Sequence, residues 1–290
     1  PGRGWAGHVP GQYVRVGVDV DGVRRWRAYS VTSPPGSGRI AITVKAIGGG
    51  VVSNHLVRRA RPGTVLQLDQ ATGDFVLPAP RPAKVLLVTA GSGITPVMGM
   101  LRSHELTDAV LVHCAPTPDE LIFGPELRAL AAAGRLRLVE WHTGTAGFLT
   151  PEALGKAVPD LAERETWACG PTGLLDTLEA YWSGLPGRLH TERFRPAVVA
   201  AGEGGTVTFS GAGRSVVAGG GTPLLDAGED AGVLMPSGCR MGICFGCVLP
   251  LREGAVRDLR TGALTTAAPG DGVKVQTCIS AAAGDCVLDL

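Results

Sequence analysis

Three cysteines fall within nine residues of "PSGCRMGICFGCVLPL", 236–251, and a fourth follows in "VQTCIS". Cys239, Cys244 and Cys247 have the spacing C-x4-C-x2-C, and 30 residues separate Cys247 from Cys278. This is the ligand spacing of a [2Fe–2S] cluster, in which four thiolates converge on two irons. A loop that carries three of them needs small residues so that backbone amides can approach the sulfurs, and Gly238, Gly242 and Gly246 interleave the ligands. Structural zinc is the competing chemistry, but it favours two short Cys pairs and only one C-x2-C occurs. A disulfide cluster is the remaining alternative, and it conflicts with an N-terminal stretch, "PGRGWAGHVPGQ", that lacks the apolar core of a secretory signal. Cys114, Cys169 and Cys286 stand outside the pattern, and Cys286 reads as an ordinary buried thiol.

Such a cluster exchanges electrons singly, so an electron source is expected elsewhere in the chain. "VLLVTAGSGITPVMGML" joins a buried strand through Gly91-Ser92-Gly93 to a helix starting near Thr95-Pro96. Helix-start amides after a glycine turn can hold a dinucleotide pyrophosphate, although such a turn is more often a plain connection between strand and helix. "WACGPTGLLD" repeats the arrangement, with Cys169-Gly170-Pro171 at the head of another helix. "RAYS", Arg27 to Ser30, ends a polar-aromatic strand, and "KAIGGGVVSNHL" sets Gly48, Gly49, Gly50 and Ser53 before an apolar Leu56 as a phosphate-binding turn. Histidines 8, 55, 104, 113, 142 and 190 are scattered without ligand spacing and read as core or surface residues.

The elements that must position these residues fall into three regions. Up to about Pro80 short alternating strands dominate: "QYVRVGVDV", an Asp21-Gly22 hairpin signal, "RRWRAYSVTS" and "RIAITVKAI". They predict a small antiparallel barrel or sandwich. From Ala83 strand and helix alternate through "AKVLLVTA", "AVLVHCA", "ELRALAAAG", "RLRLVEWHT", "PEALGKAV", "ETWACG" and "LLDTLEAYW", the pattern of a doubly wound α/β unit. "PAVVAAGEGG" then reads as a linker, and strands return around the cysteine loop from Thr206.

Composition is that of a folded globular chain: 290 residues, more than one hydrophobic core usually serves, with 44% apolar and 18% charged residues. A formal net charge of +1 gives no electrostatic footprint for nucleic acid or a membrane surface. Residues 205–290 carry eight acidic against six basic side chains, a mild asymmetry. No apolar run reaches the length of a membrane span, so a cytoplasmic protein without membrane insertion is expected.

Taken in order, these segments resemble the ferredoxin–NADP reductase superfamily. "RAYS" looks like its flavin motif, "GGGVVSNHL" its flavin-phosphate segment, "GSGITP" its dinucleotide turn and "CGP" its nicotinamide-side motif. With the C-terminal plant-type ferredoxin pattern, the whole chain resembles the flavin iron–sulfur reductases that feed bacterial oxygenases and fatty-acyl desaturases. The resemblance implies three domains: a flavin-binding antiparallel β-barrel over 1–80, an NAD(P)-binding doubly wound α/β domain over 81–195, a linker over 196–205, and an α+β, β-grasp-type [2Fe–2S] ferredoxin domain over 206–290. Relatives have a further strand before the "PGQYV" position, so an N-terminally shortened barrel is expected.

The resemblance also assigns roles. Arg27 would contact the flavin phosphates, Tyr29 pack on the isoalloxazine and Ser30 reach its N5 edge. Gly50, Val52 and Ser53 would cradle the phosphates; Gly91, Gly93, Thr95 and Pro96 would shape the dinucleotide site; Cys169 and Gly170 would lie beside the nicotinamide. Glu192 and Phe194, in "HTERF", fall where the family often places an acid and an aromatic near the flavin. The four cysteines would hold the metal. FAD is expected rather than FMN, and NADPH or NADH as donor. Pro116 stands where many relatives carry an arginine near the adenosine ribose, which leaves the choice of dinucleotide open. Because the cluster takes one electron and a hydride carries two, flavin must stand between them. The expected acceptor is a terminal oxygenase or a membrane-bound desaturase. The alternative is a redox-sensing or carrier module with little turnover.

Overall fold

Asp21 and Gly22, with φ of 51° and 79°, close the hairpin that this dipeptide predicts, since a two-residue turn of this kind needs positive φ at both positions. The computed structural model describes residues 4–185, 187–194, 200–238, 240, 242 and 245–290. The hairpin joins β1 (Tyr13–Val20) to β2 (Val23–Ser30). Val14, Val16, Val18 and Val20 are buried at alternate positions, as one face of a strand demands. Helix α1 (Val51–Arg58) and the short β3 (Gln67–Leu68) follow, and the sheet runs β2-β1-β3. "RIAITVKAI" forms no strand, contrary to expectation. It makes one bridge, Val31 to Ile42, and a Thr32 N–H bond to the Ala41 carbonyl at 2.8 Å. The Ser33 hydroxyl accepts from the Ala41 N–H at 3.0 Å and donates to the Arg39 carbonyl at 3.3 Å, so a side chain takes the place of a ladder partner.

The second region is β4 (Lys84–Ala90), α2 (Ile94–Ser103), β5 (Asp108–Ala115), α3 (Gly124–Ala132), β6 (Arg137–His142), α4 (Thr143–Ala146), α5 (Pro151–Ala157), β7 (Glu165–Cys169), α6 (Thr172–Trp182) and β8 (Leu189–Glu192). All neighbours in the order β6-β5-β4-β7-β8 pair in parallel. The unbroken apolar run of β4 serves two faces. Val85 and Leu87 join one core with α2 and α3, and Leu86 and Val88 join another with α5 and α6. Each of these four side chains is fully buried, a contribution of about 1.5–3 kcal/mol apiece. The strand order reverses between β4 and β7, which makes the crevice beyond their carboxyl ends the ligand position of such a sheet.

The third region holds β9 (Gly205–Phe209), β10 (Arg214–Ala218), α7 (Leu224–Asp230), β11 (Val248–Asp258), β12 (Leu264–Ala267), β13 (Lys274–Gln276) and β14 (Ser280–Leu288). Their sheet runs β10-β9-β14-β11-β12, with β13 on β11, and β14 pairs with β9 in parallel while the remaining pairs are antiparallel. Leu224 and Leu225 of α7 pack with Val207, Phe209 and Leu288 in one core. Residues 196–199 of the expected linker lie outside the described residues. Its last residues are built into the sheet: the Gly202 N–H donates to the Gly220 carbonyl at 2.7 Å and the Gly204 N–H to the Ala282 carbonyl at 3.1 Å.

By its contacts the chain divides into two units. One comprises Pro1–Val14, Tyr29–Arg61 and Leu68–Phe194; the other comprises Arg15–Ala28, Pro62–Gln67 and Arg195–Leu290. Most of the β1–β2 hairpin therefore groups with the C-terminal region. No helix among the described residues is long and apolar enough to cross a membrane.

Candidate functional site

At the carboxyl edge of the parallel sheet, the glycine turn and the "CGP" turn come into direct contact. Gly91–Gly93 forms a single 3₁₀ turn after β4, and helix α2 starts at Ile94, a residue earlier than the sequence suggests. A Cβ on Gly93 would lie 2.0 Å from the Cys169 carbonyl oxygen and 2.9 Å from the Gly170 nitrogen, so only glycine lets the two turns meet. The Thr95 hydroxyl donates to the Ser92 carbonyl at 2.9 Å and fixes the turn. Pro96 sits in the first turn of α2, where its missing N–H costs nothing. Gly91, Gly93, Thr95, Pro96, Cys169 and Gly170 are thus brought together.

Glu192 joins this edge, because β7 and β8 place Cys169 opposite Glu192. Its side chain is buried and its Oε2 has no hydrogen-bond partner among the described residues. Burial pushes this carboxyl up to about 8, so it holds a proton at neutral pH. Burial, and then the charge of Glu192, also push the Cys169 thiol well above its ordinary range. Phe194, two residues on, is 40% exposed.

The flavin-motif residues divide between the end of β2 and the start of α1. Ser30 is buried, its Oγ without a hydrogen-bond partner among the described residues, and Tyr29 before it is half-buried. The next residues tie this strand end to α2, because the Arg102 guanidinium donates to the Thr32 carbonyl at 2.8 Å. Gly50 caps α1 without a side chain, and the first turn of α1 has no acidic residue to neutralise its amides. The Ser53 hydroxyl donates to the Gly50 carbonyl at 3.3 Å and accepts from the Ile47 N–H at 3.4 Å; the Asn54 side-chain amide donates to the Ile47 and Gly50 carbonyls, each at 2.7 Å. Val52 is buried beneath this turn. A Cβ on Gly50 would strike the Ile47 and Ser53 side chains at 2.5 Å. A buried orphan hydroxyl and an unneutralised helix start fit a flavin with its phosphates. The Arg27 guanidinium donates to the Trp26 carbonyl at 2.8 Å and stands 3.7 Å from the Glu229 carboxylate.

Of the four cysteines expected to hold the cluster, Cys239 and Cys244 lie outside the described residues. Cys247, just before β11, and Cys278, just after β13, are both buried and neither is in a disulfide. β11 and β13 bring them together through the Val248–Gln276 register. A hydrogen bond from the Cys278 side chain is the main influence that pulls the Cys247 thiol below its ordinary range, against the effect of burial. Two adjacent buried sulfurs, one inclined to ionise, suit thiolate ligation of iron. Sequence reasoning missed the residues behind them. Thr277 bonds the Cys247 carbonyl through its hydroxyl at 2.9 Å and its N–H at 3.2 Å, and the Gln276 amide donates to the Gly242 carbonyl at 3.0 Å. Gly242, with φ of 76°, has no room for a Cβ, which would fall 2.7 Å from the Arg260 guanidinium and 2.9 Å from Ile279. The position of Thr277 and Gln276 next to Cys278 in "VQTCIS" is the one signal that pointed to them. Cys114 and Cys286 belong to hydrophobic cores, where burial pushes their thiols up to about 12 and about 11.

Comparison with known proteins gives the same three parts in the same order. Residues 5–77 match the oxidoreductase FAD-binding domain, 87–180 the oxidoreductase NAD-binding domain, and 207–283 the 2Fe-2S iron-sulfur cluster binding domain. The chain is 51% identical to an NADPH oxidoreductase of Mycobacterium tuberculosis strain H37Rv, an alignment covering all of this chain and 79% of that one. It is 32% identical to the ferredoxin reductase component of 3-ketosteroid-9-alpha-monooxygenase from Mycolicibacterium smegmatis, over 86% of this chain and 77% of the other. The structure of phthalate dioxygenase reductase superposes with a TM-score of 0.70 at 24% identity, covering 99% of this chain and 89% of that one, and so shares its fold.

Proposed function

The chain belongs to the flavin iron–sulfur reductases of the ferredoxin–NADP reductase superfamily, NAD(P)H oxidoreductases that move electrons through FAD to a [2Fe–2S] cluster, and we propose that its electrons leave for a separate terminal oxygenase. The observation that carries this reading is the convergence of a flavin-type strand end, a dinucleotide-type crevice and a pair of buried cluster-type cysteines on one chain. The monooxygenase component among its relatives supports the choice of acceptor. A membrane-bound desaturase would draw on the same cluster.

In this reading the domains divide as the motifs do, with flavin held over 1–80, NAD(P)H over 81–195 and the cluster over 206–290. Gly50, Val52 and Ser53 hold the flavin phosphates with the amides of the α1 start, and Arg27 adds a guanidinium. Tyr29 covers the ring and Ser30 offers its orphan hydroxyl to the ring edge. The Gly91–Pro96 turn binds the dinucleotide phosphates, while Cys169 and Gly170 shape the nicotinamide floor. Glu192 keeps a proton on a buried carboxyl beside that floor and so adds no negative charge there at neutral pH. Phe194 shields the same region from water. Cys239, Cys244, Cys247 and Cys278 ligate the irons.

The test is turnover with two acceptors. Ferricyanide can take electrons directly from flavin, whereas cytochrome c draws on the cluster, so NAD(P)H should support both in the parent protein and only the first in Cys247→Ser. Equal cytochrome c rates in the two proteins would remove the cluster from the electron path. Product formation by an added oxygenase or desaturase then identifies the acceptor class.

A further inference from the structure

We propose that Glu229 is a positioning residue that, together with Arg15, Arg25 and Arg240, clamps the cysteine loop onto the β1–β2 hairpin and sets the loop for electron transfer. The inference rests on the electron path proposed above. Glu229, in the last turn of α7, is 8% exposed and meets three guanidiniums. Its Oε1 accepts from Arg240, and its Oε2 stands 3.7 Å from both Arg25 and Arg27. Arg25 and Arg27 are two residues apart on β2 and so share a face. Arg240 directly follows Cys239 in sequence, and its second terminal nitrogen donates to Asp226 at 2.8 Å. Its φ of 61° is a conformation that a long side chain rarely adopts, so its placement is held against backbone preference.

A second grip lies on the other side of Cys239. Arg15, on β1, donates to the carbonyl of Ser237, two residues before that cysteine, and its guanidinium carbon lies 5.5 Å from the Trp26 ring centroid. The hairpin thus holds the loop at positions 237 and 240, the second through Glu229. A buried carboxylate shared by several arginines is a costly way to fill space, because apolar side chains would pack there without the desolvation penalty. What ions add here is a register fixed by the hydrogen bonds of Arg240 and Arg15, with Arg25 and Arg27 adding charge attraction at 3.7 Å. β2 runs on from these residues to Tyr29 and Ser30 of the flavin motif.

The test uses the full chain with both cofactors, as Glu229→Gln and Arg25→Ala. Both should keep parent levels of iron and sulfide and ferricyanide rates within about twofold, while cytochrome c reduction falls at least about tenfold. Amide exchange over 15–28 and 233–238 should rise several-fold, and the cluster potential should move upward in Glu229→Gln, which leaves the Arg240 charge less neutralised. Unchanged cytochrome c reduction, or equal losses with both acceptors, would overturn the clamp. If Glu229→Gln fails to assemble its cluster, Arg25→Ala decides alone, since Arg25 bonds to no described residue of the cysteine loop, and a cytochrome c rate within about twofold of the parent refutes the proposal. Failure of the electron path itself shows separately, as a Cys247→Ser protein that still reduces cytochrome c at the parent rate.

Discussion

Replacing Glu192 with glutamine should make the protein more resistant to unfolding at alkaline pH, by an amount fixed by where this carboxyl titrates. In the unfolded chain the group loses its proton near 4.5, and in the folded protein burial delays that loss to about 8. Between those values the native state holds a proton that the unfolded chain has released, so stability falls as pH rises through the window and levels off above it. Each pH step within the window is worth about 1.4 kcal/mol, which gives about 5 kcal/mol in full as an order of magnitude. Glutamine stays neutral at every pH. The Glu192→Gln protein and its parent should therefore be about equally stable near pH 4.5 and diverge by about 5 kcal/mol above pH 8, with most of the divergence present by pH 7.5. Urea unfolding at a series of pH values measures this, with the unfolded fraction read from hydrogen exchange in peptides covering β7 and β8. Isotope-edited infrared spectroscopy checks the protonation state directly, through a protonated-carboxyl band that Glu192→Gln lacks. A stability difference that is flat from pH 5 to pH 9, or a carboxylate already ionised at pH 6, would refute the reasoning.

Serine at Cys247 or Cys278 should abolish the visible absorption and the acid-labile sulfide of the cluster, whereas serine at Cys286 or Cys114 should leave both; a colourless Cys286→Ser protein would reassign the ligands. Mass spectrometry of extracted flavin should find FAD, and FMN alone would contradict the assignment. Arg27→Ala should weaken FAD binding by about tenfold to a hundredfold, the worth of one charge-assisted phosphate contact at about 1.5–3 kcal/mol, measurable by equilibrium dialysis. Gly93→Ala drives a Cβ against the Cys169 carbonyl, so the two turns must part. It should raise the KM for NAD(P)H at least about tenfold while flavin absorbance persists, and an unchanged KM would place the nicotinamide elsewhere.

The readable parts of the chain were those where a single local rule decides. The β4 run, the Asp21-Gly22 turn and the glycine-to-helix transition at Gly93 each follow from side-chain size or allowed φ, and each is present in the structure. "RIAITVKAI" has the composition of a strand, yet strand formation needs a partner edge, and the Ser33 side chain occupies the Ala41 amide that a ladder would use. The contact of Glu192 with the Cys169 edge was also hidden, since it depends on the pairing of β7 with β8, which no local pattern states. Glu229 is the clearest case. A glutamate in "LLDAGED" looks like a solvated helix end, and its burial comes from arginines on a hairpin about 200 residues earlier in the chain.

That separation has a consequence for how the protein is made. Arg25 leaves the ribosome 204 residues ahead of Glu229, and at about 5–20 residues per second the interval is on the order of 10–40 s. Throughout it the nascent hairpin lacks the Glu229 carboxylate and the Ser237 carbonyl that later engage Arg25 and Arg15. The contacts between hairpin and α7 can therefore form only after most of the chain has been synthesised, so they close late in its assembly.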